Sequence, residues 1–320
     1  MGKMNNKLQN IKSNSFKNNF KTLKNHSNYI SHLSKLNDGR LISCGDDCLL
    51  NIYKKDSYEL QLSIQEHSSW ILSFTQLNDG RIITCSGDYT MKIIKLIGED
   101  KYKIEQTLQE HTNDVCKVIE IKENELISVS YDKTMKIWKL NNENKFECYK
   151  TITFQNSESN CNILRLNENE FVTSSCSDKC IKFWNSNNYS NIATIDNIEI
   201  EWTYKTMCLL EDDILCVGGT NSKGFYLIKI STHQLIKNIL GPKTIWSINE
   251  CLDGLFLCSI IDEKGNDCLV KYKYEEQNLK KIFEKEKAHN DRILSCIELN
   301  DGIIASGGFG DGYSIKLWKD

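Results

Sequence analysis

His111-Thr112-Asn113-Asp114-Val115-Cys116-Lys117-Val118-Ile119-Glu120-Ile121-Lys122-Glu123-Asn124-Glu125-Leu126-Ile127-Ser128-Val129-Ser130-Tyr131-Asp132-Lys133-Thr134-Met135-Lys136-Ile137-Trp138 is the stretch on which the fold turns. Residues 115–121 alternate apolar and polar, and 126–129 form a short apolar run. A turn around Asp132 then leads into a Lys-x-Ile-x-Lys-like segment. This is period two with many β-branched residues, not the 3.6-residue stripe of an amphipathic helix. Three short strands joined by turns are expected, with residues 104–108 of the preceding segment as an outer fourth.

The same frame recurs along the chain. His26 precedes Ser43 by 17 residues, and His67–Thr84, His111–Ser128 and His289–Ser306 repeat that separation. Asp47, Asp88 and Asp132 follow the hydroxyl residue by four, and Tyr53, Ile94 and Trp138 stand six further on. Between His and hydroxyl, three copies carry Asn-Asp-Gly (37–39, 78–80, 300–302), a hairpin signal because Asn and Gly accept positive φ. Degenerate copies keep part of the pattern. Ser174, Asp178 and Trp184 mark one, with Ser157 in the His place, and Cys216 and Cys258 stand for the hydroxyl residue in two more, with Glu199 and Gly241 in the His places. Anchors at 26, 67, 111, 157, 199, 241 and 289 are separated by 41 to 48 residues, a period that signals four-stranded propeller blades.

Three segments carry a resemblance to a family: Tyr131-Asp132-Lys133-Thr134-Met135-Lys136-Ile137-Trp138, Ser177-Asp178-Lys179-Cys180-Ile181-Lys182-Phe183-Trp184 and Ser314-Ile315-Lys316-Leu317-Trp318. They resemble WD repeats, and the resemblance runs from about residue 16 to 320. It implies an all-β fold, a single seven-bladed propeller of four-stranded antiparallel blades, preceded by a polar tail at residues 1–15. Residues 16–23 resemble the outer strand that precedes every other anchor, and only Lys319 and Asp320 follow Trp318. The N-terminal strand is therefore expected to complete the last blade, which removes an exposed sheet edge.

The resemblance also implies a structural role for His26, Ser43, Asp47, His67, Thr84, Asp88, His111, Ser128, Asp132, Trp138, Ser174, Asp178, Trp184, His289, Ser306 and Trp318. These would form a hydrogen-bonded chain inside each blade, since a buried carboxylate needs charge-assisted partners. Repetition argues against a catalytic Ser-His-Asp set, which needs an accessible groove and an oxyanion hole. The set reads as complete only at His111–Ser128–Asp132–Trp138. An extra residue at Gly310-Asp311-Gly312 moves Asp311 out of step, and copies five and six, lacking the set, are expected to be the least regular.

Composition narrows the function. The 320 residues carry 40 basic and 43 acidic side chains, net −3, which gives no global attraction to nucleic acid or to a membrane surface. No apolar run approaches the roughly 18 residues of a bilayer span. Residues 1–15 lack the apolar core of a secretory signal, and Asn6 departs from the Ser/Thr of a myristoylation motif. The 14 cysteines include no Cys-x-x-Cys pair (Cys44/Cys48 and Cys176/Cys180 are four apart), so neither metal nor cofactor is expected. Cys85, Cys208, Cys216, Cys258 and Cys296 read as small buried hydrophobes in a reducing compartment, the cytoplasm or the nucleus.

Propellers of the resembled family bind partners on the face formed by the outer-to-inner loops and the Asp turns. The residues three and five after each anchor, with those before the turn Asp, place Tyr29, Trp70, Asp114, Tyr131, Trp202, Tyr204, Trp246 and Arg292 there, beside Asp46. Trp, Tyr and Arg are the residue types richest in binding energy. The expectation is a non-catalytic scaffold or complex subunit with protein or peptide partners, no membrane insertion, no nucleic acid and no small-molecule substrate. An aromatic ring beside Asp46 and Asp114 would suit a Lys- or Arg-bearing peptide. The alternative, a propeller enzyme with its substrate in the central channel, would need His, Asp or Glu at channel positions that are instead mostly aromatic, small or amide.

Overall fold

The computed structural model describes residues 19–154, 160–175, 179–200, 205–222, 224–251, 254–299 and 302–319. They form seven four-stranded antiparallel sheets in a ring, each ordered as a meander from an inner to an outer strand. The inner strands are Ile30–Lys35, Ile71–Gln76, Val115–Lys122, Asn160–Arg165, Met207–Leu210, Thr244–Glu250 and Ser295–Glu298.

Packing explains the sequence pattern. Ile83, Cys85, Met91 and Ile93 of blade 2 bury against Val115, Val118, Leu126 and Trp138 of blade 3. Ile127, Val129 and Ile137, on the other face of blade 3, bury against Ile163, Phe171 and Trp184 of blade 4. A blade is therefore covered on both faces, which is why its second strand, Glu125–Ser130, is buried at every position and reads as a continuous run. The outer strands face solvent and alternate or turn polar, as in Gln234–Leu240 of blade 5. Each fully buried Leu, Ile, Val or Phe contributes on the order of 1.5–3 kcal/mol.

Between blades the inner strands are also tied by hydrogen bonds that spacing did not foretell. Ser73 Oγ donates to the Cys116 carbonyl at 2.9 Å and Thr75 Oγ1 to that of Val118 at 2.6 Å. Asn249 Nδ2 donates to the Cys296 carbonyl at 2.8 Å, and the Leu33 amide to Ser295 Oγ at 3.0 Å. The last link closes blade 1 on blade 7.

The strand Asn19–Leu23 pairs antiparallel with Ile315–Trp318, so the first described strand is the fourth strand of the last blade. Two expectations change. In the Asn-Asp-Gly turns at 37–39 and 78–80 only the glycines take positive φ (90° at Gly39, 91° at Gly80), while Asp38 and Asp79 brace the loop by accepting from the amides of Arg40 and Arg81. Blade 6 is not irregular: its strands run 7, 7, 9 and 8 residues. It lacks the polar set but fills the space with Phe256, Cys258, Val270 and Tyr272.

Candidate partner-binding face

In blade 3, His111 Nδ1 lies 2.7 Å from Asp132, and its Nε2 lies 2.7 Å from Ser128 Oγ. Trp138 Nε1 donates to the same hydroxyl at 2.9 Å. Burial lowers the proton affinity of His111 despite its carboxylate neighbour, which favours the neutral ring. Nδ1–H then donates to Asp132, and Nε2 accepts from Ser128. Burial also opposes ionisation of Asp132, but His111, Thr134 and the Thr112 amide outweigh it and hold the carboxyl far below the usual range. Blades 1 and 2 repeat the arrangement with His26–Ser43–Asp47 and His67–Thr84–Asp88. Ser43, Thr84, Ser128 and Ser306 have no exposed surface, so these hydroxyls have no substrate access and the sets act as braces.

The braces aim a second layer of residues. The amides of Asp46, Gly87, Tyr131 and Phe309, each three after the hydroxyl residue, donate to the carbonyls of Tyr29, Trp70, Asp114 and Arg292, each three after the His, at 2.8–3.0 Å. One hydrogen bond, repeated in four blades, fixes the face. Gly87 has a further role: a Cβ there would stand 2.0 Å from Trp70 Nε1, so only glycine lets that indole lie flat on the turn. Trp70, 43 % exposed, also donates to Asp114.

Across blades 6, 7 and 1 the face residues form a continuous stack. Tyr29 lies on Phe309 with ring centroids 3.7 Å apart, and the Arg292 guanidinium sits 5.3 Å from the Phe309 ring and 5.5 Å from that of Trp246. Beside them opens a cavity of about 700 Å³ at the mouth of the central channel. Its wall includes Ser31, Asp46, Lys205, Thr220, Trp246 and Arg292. Burial, with help from neighbouring Asp47, pushes the Asp46 carboxyl up to about 6.

The family model "WD domain, G-beta repeat" matches residues 17–54 and 102–139. The WD40 β-propeller domain of Doa1 superposes with a TM-score of 0.75 at 19% identity, covering 95% of this chain and 97% of that one. A chain from the crystal structure of the Mitotic Checkpoint Complex superposes with a TM-score of 0.80 at 15% identity, covering 97% of this chain and 93% of that one. The chain is a seven-bladed β-propeller in which two segments match the WD repeat. No curated protein matches its sequence.

The WD40 pattern needs three corrections. First, the longer turn of blade 7 keeps Asp311 near His289, but His289 Nδ1 makes no hydrogen bond there, so among the described residues the fully bonded set is that of blade 3. His289 Nε2 lies 2.8 Å from Ser306 Oγ, which accepts from Trp318 Nε1 at 2.7 Å, and the longer turn still brings Asp311 to 3.2 Å from His289 Nδ1. Lys316 takes the same carboxylate at 2.6 Å. Second, Trp184 Nε1 donates to Thr173 Oγ1 at 3.0 Å and not to Ser174. Thr173 pairs with Ile163 and Lys182 as Ser128 pairs with Val118 and Lys136, so Thr173 holds the brace position. Third, Cys216 faces blade 6, while Val217 faces blade 4 and pairs with Met207 as Ser128 does with Val118. Both slips are of one residue, and in a strand that reverses the face. In blade 1, Tyr53 puts its hydroxyl 3.5 Å from Ser43 Oγ where the indole would be, and in blade 2 Ile94 leaves only packing.

Asp178, Trp202 and Tyr204 lie outside the described residues. Of the other face residues, Tyr29, Trp246 and Arg292 come together through Phe309, Trp70 and Asp114 form a separate pair, and Tyr131 sits half-buried between inner turns. Phe309 was missed because the lengthened turn hides that it stands three after Ser306, the position of Asp46 and Tyr131. Lys205 and Thr220 carry no spacing signal, since blade 5 lacks the polar set. Among the described residues no group of three His, Cys, Asp or Glu could hold a metal, the twelve cysteines are free thiols, and no helix is long and apolar enough to cross a membrane.

Proposed function

We propose that this WD40 propeller is a non-catalytic scaffold that holds a protein or peptide on the face bearing Tyr29, Trp70, Asp114, Tyr131, Trp246 and Arg292, with Trp202 and Tyr204 assigned to the same face by spacing. The observation that carries the reading is an Arg–aromatic stack at the rim of a channel cavity, with the exposed Trp70 indole held on its own turn in blade 2. Exposed aromatics and arginine on a rigid frame lose little entropy on binding and are the groups that dominate interface energies. The Doa1 and Mitotic Checkpoint Complex propellers share the frame; the second comes from a structure of a complex.

The partner should be a reducing-compartment protein of the cytoplasm or nucleus, in keeping with buried thiols that burial makes hard to ionise; Cys44 and Cys296 are each pushed up to about 12. The test is affinity purification with the wild type, Trp70→Ala/Trp246→Ala and Gly87→Ala. Both variants are expected to lose the wild-type partners while melting cooperatively. Gly87→Ala must displace the Trp70 indole without deleting it. Undiminished partner capture by both variants would place docking elsewhere.

A further inference from the structure

The wall of the cavity at the channel mouth holds two buried donors that find no acceptor in the protein, beside the buried amine of Lys205. Lys205 Nζ donates to the Ser31 carbonyl, and Lys117 Nζ donates to Asn162 Oδ1 at 2.8 Å. Neither ammonium has a carboxylate in ion-pair reach among the described residues. Thr220 Oγ1 and Trp246 Nε1, on the wall of the same cavity, are buried and have no acceptor there. Thr220 is 6 % exposed, so solvent does not routinely serve it. A buried donor without a partner is costly, and a protein retains one where something else makes the bond.

We propose that this cavity is a carboxylate-binding site, in which Lys205, Thr220 and Trp246 take a carboxylate of the polypeptide docked on the face, with Arg292 at the rim; this rests on that face being the docking face. A partner's cation is disfavoured there. Arg292 already covers the Trp246 and Phe309 rings that such a cation would seek, and Lys205 lines the same wall. The opposite charge fits. Two carboxylate oxygens match one ammonium plus a hydroxyl or indole donor. A phosphate dianion matches less well, because the single arginine is laid over two rings and Asp46 lines the wall. The volume falls in the range of small-ligand sites and admits one side chain or one chain end.

The electrostatics agree with the geometry. Burial drives the proton affinity of Lys205 well below the ordinary lysine range, and nearby Lys117 drives it further. Lys117 is itself pushed down to about 8, and His32, next to both, is lowered by burial and by the two lysines. Three basic groups held together without a carboxylate weaken the fold, a feature that concentrates at functional sites.

The test follows the indole N–H resonance of Trp246, assigned by its loss in Trp246→Phe, during titration with small probes. The probes are N-acetylglycine as a chain end, N-acetylglutamic acid α-amide as an acidic side chain, inorganic phosphate and propylammonium. A saturable shift with either carboxylate is expected, and the stronger of the two identifies its source. Roughly tenfold or greater weakening is expected in Lys205→Met and in Thr220→Val, the scale of one lost charge-assisted bond. Lys205→Met should melt no lower than wild type, since it removes a buried amine that has no carboxylate partner. No saturable carboxylate shift, equal binding by Lys205→Met, or tighter binding of phosphate or propylammonium would overturn the assignment. Any of those results with partner capture still dependent on Trp70 and Trp246 would leave the docking face standing and remove only the carboxylate site.

Discussion

Asp132 carries four duties at once: its carboxylate takes the His111 ring, the Thr112 and Thr134 amides and the Thr134 hydroxyl. Asp132→Ala strips those donors of their acceptor at a site where the side chain is only 4% exposed. A loss of about 1–3 kcal/mol in urea unfolding is expected, with partner capture proportional to folded protein. The His–Ser/Thr–Asp spacing made this residue legible, because a fixed backbone path between strand and turn fixes the count between residues. Thr173 was not legible, since an extra residue before Asp178 shifts the count and leaves Ser174 looking correct. A double-mutant cycle on Thr173→Val and Trp184→Phe should show a coupling of about 0.5–1.5 kcal/mol; additivity would return the brace to Ser174.

At the scale of elements, the strand Asn19–Leu23 covers the open edge of Ile315–Trp318 and buries Leu23 with Ile30, Leu33 and Leu317. Removing residues 1–24 should therefore unfold or aggregate the protein, whereas removing 1–15 should leave the melting temperature within a degree or two. An unchanged melt after the longer deletion would contradict closure by this strand. The strands themselves were readable from period two, and the blades from the 17-residue spacing. What could not be read is how blades 5 and 6 manage without a brace. Their second strands carry Leu215, Val217, Phe256 and Cys258 in place of a polar chain, and apolar packing leaves no spacing rule to follow.

For the whole molecule the braces sum into a pH response. The carboxyls of Asp47, Asp88, Asp132 and Asp311 lie below the ordinary range: burial opposes this, but hydrogen bonds from His26, His67 and His111 and from Lys316 outweigh it. A carboxyl depressed by folding contributes stability above its unfolded pKa of about 4, lost as pH falls through the folded value. Burial also depresses His111, and it lowers His289 to about 4 with help from Lys316. Their contribution is complete above the unfolded His pKa of about 6.5 and fades below it. Melting temperature should change little from pH 7 to 5, where the Asp46 and Asp267 carboxyls, each raised to about 6 by burial, oppose the histidines, and should fall steeply below pH 4, and Asp132→Asn should soften the steep part. A flat profile between pH 7 and 3 would refute this account.

Time enters through the closing strand. Leu23 pairs with Ile315, a partner some 290 residues downstream. At roughly 5–20 residues per second, a ribosome needs about 15–60 s to deliver that partner after the first strand has emerged. Throughout that interval the opening segment has no sheet to join, and six blades can assemble around a gap. Synthesis that halts before residue 315 leaves two raw edges for chaperones to find, so completion of the last strand doubles as a check that the message was read to its final blade.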